Sequence, residues 1–229
     1  MAKQNVENEE IGSAQNPIEK YQKPLLIAGI ALIAITFGYM GYSKFYVAPK
    51  AERGAADMFM AEKYFEQDSF ELALNGNASF LGFEEIVSDY GMTDAGNLAH
   101  YYAGVSYLRL GAAEADSSKA QVHFQDAIDH LKKFSSSSKM ITPMALGATG
   151  DAYSELGEYA QAASYYMKAG STSPNEYTAP MYLKKAGLVY EKMGDKAKAL
   201  KAYQTIKADF GKTTIGGSID KYISRAENR

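Results

Sequence analysis

The residues of this chain that could do chemistry begin with its three histidines, His100, His123 and His130. His123 and His130 are seven apart with Asp126 between them, so on a helix the three would share one face. Imidazole and carboxylate at that spacing can hold a divalent cation weakly. Solvent-facing histidines on a helix are the commoner arrangement, and no metal site is expected. Cysteine is absent, which removes thiol catalysis and thiolate metal ligands. Gly147-Ala-Thr-Gly150 is glycine-rich but does not follow the strand that a phosphate-cradling loop requires. No nucleophile, base and orienting residue can be nominated together. The expectation is a binding protein with no catalytic residue and no cofactor.

The elements that would position a binding surface show in a repeat. Gly-x-x-Tyr-x-x-x-Gly occurs as Gly104/Tyr107/Gly111, Gly150/Tyr153/Gly157 and Gly187/Tyr190/Gly194. The last two copies are followed by Tyr159/Ala162/Tyr166 and Lys196/Ala199/Tyr203, in a register of 37 residues. The first glycine of each copy would let two helices of a hairpin approach closely. Gly157 and Gly194 would end the first helix in a left-handed conformation. Ala162 and Ala199 stay small at the helix crossing, and Tyr166 and Tyr203 pack against the next hairpin. The first copy is stretched: Gly111 stands 13 residues before Phe124, where Gly157 stands 2 before Tyr159. Its small, polar insert, Ala112–Ala120, would extend the helical turn. Upstream, Met58–Leu74 and Phe80–Tyr90 read as a degenerate helix pair, with Met58, Ala61, Tyr64 and Phe65 at helical spacing.

These residues resemble the tetratricopeptide-repeat family over roughly residues 95–213, with Leu146 and Leu183 where tryptophan is common. The resemblance implies an all-α solenoid of helical hairpins at about 97–134, 143–176 and 180–213 within a repeat domain at 95–229, closed by a C-terminal capping helix. Residues 47–94 would form juxtamembrane helices and the degenerate repeat.

Pro24–Tyr42 is uncharged over 19 residues, enough for a helix to cross ~30 Å of hydrocarbon. Tyr39, Tyr42, Phe45 and Tyr46 gather at its far end, as aromatic residues do at a membrane interface. The preceding stretch is long and carries Glu7, Glu9, Glu10 and Glu19, unlike a cleaved signal peptide. The expected layout is a disordered polar tail at 1–19 and a single transmembrane helix within 20–46. Lysines balance across the segment, so charge does not set its orientation.

The net charge is −3, but it is segregated. Residues 51–179 hold 8 Lys and Arg against 18 Asp and Glu, whereas residues 180–229 hold 11 against 5. The basic end reads either as a solvated capping face or as a dock for an acidic partner, a lipid headgroup or nucleic acid. Recognition motifs for nucleic acid are lacking. In a hairpin array the first helices line the concave face. Register places Leu98, Met144 and Met181 at one level of it, Tyr101, Gly147 and Lys184 at the next, and Val105, Asp151 and Leu188 at a third. Arg109, Lys184 and Lys185 would form a basic rim. Such a groove is apolar and methionine-bearing, suited to varied peptides. The alternative, that some of these side chains pack against the helices nearer the anchor, stays open. The lysine and asparagine set with which eukaryotic co-chaperone repeats clamp an acidic C-terminus is not at these positions.

A single N-terminal anchor followed by a repeat domain resembles the YfgM family, as does the stretch Tyr90–Gly104, whose tyrosine, threonine, small residue and alanine also resemble BamD-like envelope proteins. The resemblance implies an inner-membrane protein with a cytoplasmic N-terminus and a periplasmic repeat domain. Its implied partners are SecYEG-type translocon subunits, a periplasmic chaperone and newly exported polypeptides. An assembly factor of another envelope complex (secretion, motility or cell-wall machinery) is the alternative.

Overall fold

Small residues at helical spacing decide how this chain folds. The computed structural model describes residues 12–228, with side chains from Tyr21 onward. Two units separate after Lys50. The first contains helix α1 (Gly12–Tyr42) and a π-helical turn at Ser43–Val47. Residues 12–19, expected as disordered tail, are therefore helical; the rest of that expected tail, 1–11, lies outside the described residues. Leu25, Ile35, Phe37 and Tyr39 are exposed along α1. At its end Tyr42 and Tyr46 stack at 5.2 Å, and the Lys50 ammonium lies 5.3 Å from the Tyr46 ring centre.

In the second unit α2 (Ala48–Glu66) packs Met58 and Ala61 into a core with Leu74, Phe83, Ile86 and Ala99. The degenerate pair expected here is interrupted. The chain turns after Glu66, with Asp68 at φ 57°, and a short α3 (Phe70–Asn75) leads into a two-stranded hairpin. Its strands, β1 (Gly76–Asn77) and β2 (Phe80–Leu81), pair antiparallel, a local exception in an otherwise all-α fold. The physical reason is Gly76, whose φ of +62° ends the helix and brings its amide beside Gly82. Helix α4 (Phe83–Tyr90) follows.

Three hairpins come next: α5 (Asp94–Ala113) with α6 (Ser117–Lys133), α7 (Ile141–Glu155) with α8 (Tyr159–Thr172), and α9 (Thr178–Lys192) with α10 (Lys196–Phe210). Consecutive helices pack along the series, and α5, α7 and α9 also touch one another as an inner layer. The repeated glycines are contact points: a Cβ on Gly104, Gly150 or Gly187 would meet Leu131, Tyr166 or Tyr203 within 2.2–2.7 Å. Gly157 and Gly194 both take φ +77°, which ends α7 and α9. Gly111 differs. It stays inside α5 against Phe124, because the insert lengthens α5 and gives α6 extra turns before Phe124, leaving only 114–116 as the turn.

One corner occurs twice. Tyr90-Gly-x-Thr93-x-x-Gly96 joins α4 to α5, and Phe210-Gly-x-Thr213-x-x-Gly216 joins α10 to the short α11 (Thr214–Gly217). In each, the threonine amide and hydroxyl both donate to the aromatic residue's carbonyl, and the hydroxyl oxygen accepts from the glycine amide as an N-cap. Helix α12 (Asp220–Asn228) then lies on α10 and closes the last core around Tyr203, Ile206 and Ile219.

Candidate functional site

The inner layer opens into a cleft of about 490 Å³ between α5, α7 and α9. Of the residues expected to face a groove, Tyr101, Val105, Arg109, Met144, Asp151 and Lys185 line it together. Leu98 instead packs on the N-terminal core and Met181 on the central one. Leu188 is exposed on α9, and Lys184 turns to Tyr222 on α12. Register alone grouped these ten because it assumes a uniform superhelix, whereas the long α5–α6 hairpin breaks the spacing.

Other lining residues were not expected from sequence, among them Glu155 and the two wall tyrosines, Tyr166 and Tyr182. Tyr166 reaches the cleft because Gly150 lets α8 approach α7. Tyr182 is there because Gly147 has no side chain: a Cβ on Gly147 would sit 1.9 Å from the Tyr182 ring. A glycine at a groove level is the signal that could have found this, since an empty position in a packed layer must be filled by a neighbour.

Electrostatics fix the floor. The Lys185 ammonium donates to both Asp151 oxygens, at 2.7 and 2.8 Å, and lies beside the Tyr166 and Tyr182 rings at 5.6 and 5.8 Å. Tyr166 donates its hydroxyl to the same carboxylate. Burial first, then the Asp151 charge, pushes both phenols well above their ordinary range, so they remain neutral donors. Lys185, expected on a basic rim, is thus neutralised, while Arg109 stands exposed at the mouth. The same device closes the next hairpin, where Tyr203 donates to Glu191 and Arg225 donates to the same oxygen. Such a floor presents tyrosine walls and, at the mouth, one exposed guanidinium to a chain.

A residue match accompanies this geometry. Residues 185–213 match the tetratricopeptide-repeat family model. The matched stretch runs from the second half of α9 through α10. With the stacked hairpins it supports a solenoid of tetratricopeptide type, an architecture that generally binds proteins. Neither the curated proteins nor the solved structures contain a match to this chain.

The floor's stability is testable. Asp151→Asn is expected to cost about 1–2 kcal/mol, because it weakens two charge-assisted contacts and leaves Lys185 unpaired. In a double-mutant cycle with Tyr166→Phe, read by urea denaturation, a coupling of ~0.5 kcal/mol or more is expected. Strict additivity would show that the hydroxyl and carboxylate do not act together.

Proposed function

We propose that this chain is a membrane-anchored, non-catalytic scaffold whose repeat domain docks protein segments in the α5–α7–α9 cleft. The observation that carries this is the cleft itself: a tyrosine-walled groove of mixed polar and apolar lining on the inner helix layer of a tetratricopeptide-type solenoid. Anchoring is supported by the helix Tyr21–Glu66, which among the described residues is long and apolar enough to cross a membrane. Among the described residues, the apolar side chains of α1 from Leu25 to Tyr39 are largely exposed. In this reading the N-terminus is cytoplasmic and the repeat domain lies outside the inner membrane. Its partners there are translocon subunits, chaperones or newly exported polypeptides.

The test is photo-crosslinking in intact cells from probes at Val105 and Met144, with adducts identified by mass spectrometry. Translocon subunits, chaperones or many exported chains are the expected adducts. A single unrelated envelope complex would replace the partner assignment with an assembly factor, and cytosolic adducts would reverse the topology.

A further inference from the structure

Cations converge on one tyrosine where α9 meets the cap helix. Tyr222 of α12 has the Lys184 ammonium 4.7 Å from its ring centre, Lys221 at 5.2 Å and the Arg225 guanidinium at 4.9 Å. Arg225 is held from behind by Glu191, whose carboxylate also takes the Tyr203 hydroxyl. Tyr203 in turn packs beside Tyr222 at 5.5 Å, so the ring is fixed on its inner side. The acids nearby are committed: Glu191 to Arg225, Asp220 to Lys207 and Asp195 to Lys198. Among the described residues neither Lys184 nor Lys221 has a carboxylate within ion-pair distance. Lys184 is nevertheless half-buried.

With the Tyr222 side chain beside it, the Lys184 ammonium can take a charge-assisted contact from an incoming anion. The potential here is visible in Tyr222 itself. A hydrogen bond from Lys184 first, then the charges of Lys184, Lys221 and Arg225, hold its phenol below the ordinary tyrosine range. The surrounding segment, residues 180–229, carries the excess of basic residues that the rest of the domain lacks.

We infer that Lys184, Lys221 and Arg225 around Tyr222 form a carboxylate-binding site for an acidic segment of a protein partner. The inference rests on the reading that the cleft docks protein chains. Lys184 and the cleft-lining Lys185 are consecutive on α9, so their side chains leave the helix about 100° apart and the site adjoins the cleft without continuing its floor. The adjoining cleft and the general use of this solenoid in binding proteins favour a protein carboxylate over a lipid headgroup. Apolar surface on the same helix, Leu188 one turn beyond Lys184, offers a neighbouring contact for the partner's side chain.

The test uses the full chain in phosphatidylcholine nanodiscs with fluorescein-labelled hexaglutamate, read by anisotropy. Lys184→Gln/Lys221→Gln is expected to weaken binding about tenfold or more, since two charge-assisted contacts are lost. Lys196→Gln/Lys201→Gln removes equal charge from exposed positions on α10 and is expected to change binding less than about threefold. Equal losses in the two variants, or no binding by the unmodified chain, would overturn the site. So would loss of phosphatidylglycerol-vesicle binding in Lys184→Gln/Lys221→Gln with hexaglutamate binding intact, which would assign the cations to a headgroup. Crosslinks from Val105 and Met144 that persist in any of these cases would leave the cleft reading standing.

Discussion

Alanine at Gly96 is expected to cost ~3 kcal/mol or more of folding free energy. A Cβ there would lie 2.2 Å from the Tyr90 carbonyl oxygen and 2.4 Å from its carbon. Both are backbone atoms. The oxygen already accepts the amide and hydroxyl of Thr93, so it cannot retreat without breaking the cap of α5. Gly216→Ala is expected to behave alike, with the Phe210 oxygen 2.0 Å from the new atom. Gly157→Ala is the control. Its φ is +77°, yet nothing lies within 4 Å of a Cβ. Only the left-handed backbone penalty of roughly 1 kcal/mol applies. Urea midpoints by far-ultraviolet circular dichroism separate the two cases. A Gly96→Ala midpoint as high as that of Gly157→Ala would show that the corner can open at little cost.

Acidification is expected to weaken the domain between about pH 6.5 and 4 through His100. Its ring nitrogen Nδ1 lies 3.1 Å from Nδ1 of His130, and His130 turns Nε2 to Glu84 at 3.2 Å. That chain of contacts needs a lone pair between the two rings, so both cannot carry a proton there. Burial first, then the charges of His130 and Lys133, lowers His100 from its ordinary 6.5 to about 4, with Glu84 opposing. The folded state therefore resists a proton that the unfolded chain accepts. Stability is full above the unfolded value and falls as pH drops toward the folded one. Unscreened, that displacement is worth roughly 3 kcal/mol, and solvent at this partly exposed ring reduces it to about 1–2. Glu84 acts in a lower window. The hydrogen bond from His130 lowers its carboxyl, so its contribution holds above the ordinary 4.5 and is lost only as pH falls through the folded value. Replacing His100 by glutamine keeps a hydrogen-bonding side chain and removes the titration. Urea midpoints measured from pH 7.5 to 5 should fall in the unmodified chain and stay nearly level in His100→Gln. Parallel curves would assign the acid sensitivity elsewhere.

The roles read from single positions rest on local requirements. Gly157 and Gly194 had to be left-handed, and Gly150 and Gly187 had to lack a Cβ, because hairpins of this length leave no alternative at those points. Each requirement lies within one hairpin, and the repeat displays it in sequence. The corner at Phe210–Gly216 was not read from the sequence, although it repeats the residue types of Tyr90–Gly96. The β-hairpin at Gly76–Leu81 was not read either, because two-residue strands whose partners are five and three residues apart show no alternation.

What the chain determined by itself is periodic: where helices turn back, where they touch, which end is basic, and that an apolar segment long enough for a bilayer precedes them. Tertiary structure alone decided which side chains meet across hairpins. Lys185 and Asp151 are 34 positions apart and His100 and His130 are 30 apart, and neither pair follows the register of the repeat. Tyr182 fills the space over Gly147, and Lys184 leaves the groove for Tyr222. A repeat fixes each helix relative to its neighbour, but the eleven or so residues inserted before Phe124 change how the layers stack. The direction in which a long side chain then points depends on packing that no local pattern encodes.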